Sequence, residues 1–199
     1  MGYTTNFTGK FTCTPALNSD QVAYLKALNH TRRMKRSGAS KLPDPLREAV
    51  GLPLGDEDEY FVGGTGFAGQ DRDDSIVEYN RPPASQPSLW CQWEPSEDGK
   101  HIKWDKGEKF YEYVAWIEYF NEHFFKPWGV KLSGDVKWRG EDPSDRGVIV
   151  AGNEIAVLEG HAFVAYKQQK KLERDAKKQN KTITKAIGKT SAATKHIKI

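Results

Sequence analysis

The sequence predicts an α+β fold: an antiparallel sheet of about five to six strands with two main helices packed on it, plus a basic C-terminal extension. Three observations carry this expectation. Short alternating segments separated by tight turns recur along the chain, and short loops join consecutive strands antiparallel. Two other segments place apolar residues at helical spacing. All six tryptophans lie between Trp90 and Trp138, which centres the core there, because large rings contribute most of the buried area.

The elements follow in order. Residues 3–13, YTTNFTGKFTC, alternate and read as a strand or a bent hairpin arm that Pro15 ends. Asn18 and Gln21 then have capping-box spacing, with Leu17 and Val22 as a hydrophobic staple, so a helix starts there. Its apolar face continues through Leu25 and Leu28. Its end is expected within HTRRMKR, where cations suit the negative end of the helix dipole. Residues 39–88 are rich in loops, with one short helical turn at 46–50, and a stretch so long is either functional or mobile. SLWCQWEPSEDGKHIKWD reads as a hairpin turning at Asp98–Gly99. The segment 107–129 is the strongest helix, with Phe110, Tyr113, Val114, Ile117, Asn121 and Phe124 on one face and Pro127 and Gly129 closing it. Three strands complete the sheet, GVKLSGDVKW, RGVIVAG and EIAVLEG.

Charge divides the chain. From Lys167 onward eleven Lys and Arg face only Glu173 and Asp175, a net +9; the whole chain carries +3, so residues 1–166 carry 3 − 9 = −6. The domains expected are therefore 1–166, globular, and 167–199, a lysine-rich tail, helical or disordered, with Leu172, Ala176, Ile183 and Ile187 as a thin apolar stripe. Two cysteines, Cys13 and Cys91, make no disulfide framework and read as reduced thiols. The start of the chain shows no apolar signal core, and no run is long enough for a membrane span, so a cytoplasmic location and no membrane partner are expected.

The motif that most invites a function is Gly64-x-Gly66-x-x-Gly69. A dinucleotide loop must open a helix whose N-terminus holds the phosphate. Here QDRDD follows, and Pro82–Pro83 prevent a long helix. The sequence therefore argues against nucleotide binding and for a flexible loop, which Phe61 and Phe67 would pin to the body. The five histidines show no metal spacing, and the acidic clusters lack the calcium-loop pattern. Cys91 sits between two tryptophans, an apolar setting that does not activate a thiol. No catalytic residue, metal site or cofactor is expected.

Two features remain as binding candidates. Glu112, Trp116, Tyr119 and His123 fall away from the main apolar stripe of the second helix and, with Phe67 of the glycine loop, would form an aromatic partner-binding surface if exposed. Lys170, Lys171, Arg174, Lys177, Lys178, Lys181 and Lys185 of the tail would contact phosphate backbones without reading bases.

The run LWCQW, followed by EKFYEYV and PWG, resembles an uncharacterised family of bacterial and bacteriophage hypothetical proteins over roughly residues 42–157. The resemblance implies a phage or mobile-element origin and a bacterial host. It implies no activity and transfers no site residue, and the lysine-rich tail departs from the family pattern. The leading expectation is a non-enzymatic protein that engages a host or virion macromolecule. The alternatives are nucleic-acid binding through the tail, and an enzyme or small-ligand binder with its site in the loops at 55–88.

Overall fold

The computed structural model describes residues 2–194, with side chains described as far as Lys185. The last five residues of the predicted tail, and the side chain of Ile187, lie outside the described residues. The chain forms two compact units, one ending at Val157 and one beginning at Leu158.

The first strand, β1 (Asn6–Thr14), is followed by α1 (Ser19–Asn29). The predicted capping box is present: Gln21 N donates to Asn18 Oδ1 at 2.9 Å, and Asn18 N donates to Gln21 Oε1 at 3.0 Å. The helix stops at Asn29, earlier than expected. The cations beyond it do not cap the helix. Arg33 and Arg36 are buried, and they hold the long loop region in place.

That region contains β2 (Lys35–Arg36), α2 (Pro45–Ala49) and β3 (Ile76–Glu78), and β2 and β3 pair into a small second sheet that the sequence pattern does not reveal. Arg33 donates Nη2 to the carbonyls of Glu59 (2.6 Å) and Phe61 (2.8 Å) and Nε to Gln86 Oε1 (3.0 Å). Arg36 bonds Asp73 and Ser75 and lies over the Phe61 ring at 4.6 Å. Asp44 caps α2 and also accepts from Val62 N. These buried polar contacts replace the regular pairing that the loops lack.

The hairpin β4 (Trp93–Pro95) and β5 (His101–Trp104) turns through Gly99, as expected. Helix α3 (Tyr113–Phe120) starts later than its periodicity suggests, because Glu112 takes a left-handed conformation (φ 53°). It continues through a π-type turn at Asn121–Phe125. The wider turn carries an extra residue, which lets both Phe124 and Phe125 face the interior. The strands β6 (Lys131–Arg139), β7 (Arg146–Ala151) and β8 (Ile155–Glu159) complete a six-stranded sheet in the order β4-β5-β1-β6-β7-β8. The pairings of β1 with β5 and β6, of β4 with β5, and of β6 with β7 are antiparallel.

The α+β fold class therefore stands. The core is a net of rings. Trp93, fully buried, meets Phe7, Phe11 and Phe110 edge to face at 5.3–5.6 Å between centroids and donates Nε1 to Tyr113 O at 2.8 Å. Such pairs each add about 0.5–1.5 kcal/mol beyond the area they bury.

The second unit contains α4 (Gly160–Thr194), a single helix of 35 residues. It begins before Lys167, so the lysine-rich segment is a continuation of a helix that starts in the AFVAY stretch. The boundary expected at 166 follows charge, and the helix that carries the lysines begins at Gly160.

Candidate functional site

The expected aromatic surface is not open. Trp116 is fully buried and Tyr119 is 5% exposed. The segment at 84–88 covers them: Trp116 Nε1 donates to Ser88 Oγ at 2.8 Å, and Gln86 Nε2 donates to Tyr119 Oη at 3.2 Å. Burial raises the Tyr119 phenol well above its ordinary range, which suits a structural hydroxyl. His123 is half-buried, 2.8 Å from Tyr60 Oη through Nδ1. It borders a cavity of about 440 Å³ with Gln86, Tyr119, Glu118 and Glu122. Glu112 is exposed and lines none of the cavities described below. The helical periodicity finds one buried face, but α3 is covered on a second.

Phe67 is the aromatic member of that set that stays on the surface, 87% exposed. It does not pin the glycine loop, as expected of it; Phe61, 2% exposed, does. The loop is held by its glycines and by Thr31 and Arg32. Gly63 N donates to Thr31 Oγ1 at 3.2 Å and Arg32 N to Ala68 O at 3.1 Å. Gly69 has φ +63°, and a Cβ there would run into Gly63 O. No helix longer than a 3-10 turn follows, Phe67–Gly69, so the phosphate cradle is absent and the glycines instead display Phe67.

Phe67 stands at a cavity of about 500 Å³ also lined by Asn29, His30, Ala68, Trp90, Cys91, Gln92 and Asp105. A second cavity of about 540 Å³ shares Trp90 and Gln92 and adds Pro82, Pro87, Tyr111 and Lys109. Trp90 thus borders two neighbouring hollows. Asn29, at the end of α1, fixes the first by donating Nδ2 to Cys91 O (3.1 Å) and to Asp105 Oδ2 (2.9 Å). Burial pushes the Cys91 thiol far up, so it is a wall and no nucleophile. The residues 89–92 that build this site precede the strand the hairpin pattern predicted for them. Cys91 and Trp93 are buried, while Leu89, Trp90 and Gln92 are half-buried. Asn29 and Asp105 carried no signal in sequence, since their partnership joins positions 76 residues apart.

Among the described residues no three His, Cys, Asp or Glu side chains are grouped to hold a metal ion, and no helix is long and apolar enough to cross a membrane.

The second candidate lies on α4. At about 100° per residue, Lys167, Lys170, Lys171, Arg174, Lys177, Lys178, Lys181 and Lys185 fall within one arc of roughly 120°. All are exposed. Leu172, Ala176, Gln179 and Ile183 lie on the opposite side, with Leu172 70% and Ile183 55% exposed. Lys167 and Lys170 lie 5.4 and 5.5 Å from the ring centroids of Phe163 and Tyr166, one turn earlier. All seven tail residues singled out in the sequence share this stripe, which net charge alone does not disclose.

Comparison with known proteins adds no relative: no family model, no curated protein and no solved structure matches the chain.

Proposed function

We propose that this is a binding protein that engages the phosphate backbone of nucleic acid through α4. The observation that carries the reading is the gathering of eight cations on one side of one helix. Between Lys167 and Lys185 the helix rises about 27 Å, so the eight cations are spaced roughly 3.9 Å apart along the axis, comparable to the ~3.4 Å phosphate rise along one DNA strand. Lysines predominate, and lysine acts as a point charge rather than a planar fork, so binding is indifferent to base sequence. An anionic membrane surface is a poorer match. Opposite the lysines stand glutamines and alanines with only Leu172 and Ile183 among the described side chains, too little apolar area to insert. The resemblance to bacterial and phage proteins supports a bacterial cytoplasm as the setting.

The test is a filter-binding series on DNA at low salt, comparing the full chain with a version ending at Tyr166. The reading expects the shorter chain to lose at least tenfold in affinity. Equal binding by both would refute it.

A further inference from the structure

We propose that the cavity beside Trp90 binds a planar heterocycle with an N–H edge, of the nucleobase class, and that guanine fits it best. This site belongs to the first unit and does not depend on the α4 reading.

The walls decide the ligand's shape. Trp90, Phe67, Ala68 and Cys91 contribute two aromatic rings and small apolar groups to the lining of about 500 Å³, room for a nucleoside-sized molecule. Phe67 keeps almost its whole ring in solvent at the mouth, on the loop of Gly64, Gly66 and Gly69. Aromatic side chains in such positions stack flat rings.

The polar groups decide the ligand's chemistry. Asn29 is 4% exposed and lines the cavity, and both its amide protons are engaged, by Cys91 O and Asp105 Oδ2. Two acceptors in those places fix the amide orientation, so Oδ1 remains an acceptor with no partner among the described residues. Asp105 takes one bond on each oxygen, from Asn29 Nδ2 and from Gly107 N (2.6 Å), and keeps a lone pair on each. Gln92 Oε1 accepts from Trp104 Nε1 and Nε2 donates one of its two protons to Glu108 O. At the buried end the open groups are Asn29 Oδ1 and the Asp105 carboxylate, and these ask a ligand for donors. A sugar, which also needs donors from the protein, and an alkyl chain, which would leave buried acceptors unmet, both fit worse.

Charge separates the remaining classes. An organic cation would want the face of Trp90, but the Arg32 guanidinium already lies 5.8 Å from that ring's centroid and 4.7 Å from that of Tyr79. A second positive charge there is repelled, so a neutral ring is favoured. Of the common bases, guanine alone carries two adjacent donor groups, N1–H and N2–H2, to meet Asn29 Oδ1 and Asp105 together.

The experiment is calorimetric titration of the full chain with guanosine, which has no phosphate and so does not engage α4. Saturable binding that is insensitive to salt is expected, at least tenfold weaker for 1-methylguanosine, which lacks the N1 proton, and for Asp105→Asn. Phe67→Ala, at a site too exposed to disturb the fold, should weaken binding several-fold. Absence of saturable guanosine binding, equal binding of the methylated nucleoside, or wild-type affinity in Phe67→Ala would each overturn the proposal.

Discussion

Asn29 Nδ2 lies 2.9 Å from Asp105 Oδ2, joining the last residue of α1 to the turn that follows β5. The same amide holds Cys91 O, so one buried side chain fixes three segments that meet nowhere in sequence. Replacing Asn29 by Ala removes both bonds and leaves acceptors unmet. A loss of about 2–3 kcal/mol in urea unfolding is expected, against about 1 kcal/mol for Asp105→Asn, which keeps an acceptor for Asn29.

Two glycines with nearly equal φ should behave differently. Gly51 (φ +69°) has open space where a Cβ would be, so Gly51→Ala costs only the left-handed strain, about 1 kcal/mol. Gly69 (φ +63°) faces the carbonyl of Gly63 across the loop, so Gly69→Ala adds a backbone clash and costs at least about 2 kcal/mol more. Thermal unfolding of the two variants measures the difference directly.

Arg33 is 3% exposed and answers two carbonyls and Gln86 rather than a carboxylate; burial lowers its pKa. Lysine cannot reproduce this fork, so Arg33→Lys is expected to cost at least about 2 kcal/mol. A stability within 0.5 kcal/mol of wild type, roughly the noise of a surface change, would contradict the assigned role.

Stability should fall in alkali. Burial pushes the Cys13 thiol from its ordinary 9.0 up to about 12, and Cys91 and Tyr24 shift upward for the same reason. A folded-state value above the unfolded one means the folded chain binds the proton more tightly. That contribution is whole below pH 9 and is lost as pH rises toward 12. Urea midpoints measured from pH 8 to 11 should decline, less steeply in Cys13→Ala, and neither thiol should react with a disulfide reagent at pH 8 until the chain unfolds.

Much of the fold was legible. The capping box at Asn18 and Gln21, the turn at Gly99 and the three last strands are local signals, and local signals are what a sequence displays. Helix α3 was placed but misjudged, because its first apolar residue, Phe110, is buried without being helical and because a second layer covers Trp116 and Tyr119. The β2–β3 pair and the roles of Arg33 and Arg36 were hidden for a different reason. Their cations stand in a run that reads as a helix end, and only tertiary partners from 57–86 reveal them as buried struts. For the tail, composition showed the charge, while its arrangement in one stripe follows only once α4 is a continuous helix.

The central claim is that geometry, not net charge, lets α4 hold a phosphate backbone. The most direct measurement is the salt dependence of DNA affinity in a variant that exchanges Lys170 with Gln169, Lys177 with Ala176 and Lys181 with Asn180. Composition and net charge are kept, and three cations move to the opposite face. The wild-type slope of log K against log salt should not exceed about −7, the limit for eight phosphate contacts, and the variant's should be shallower by roughly 2–3. An unchanged slope and affinity in the variant would contradict the account.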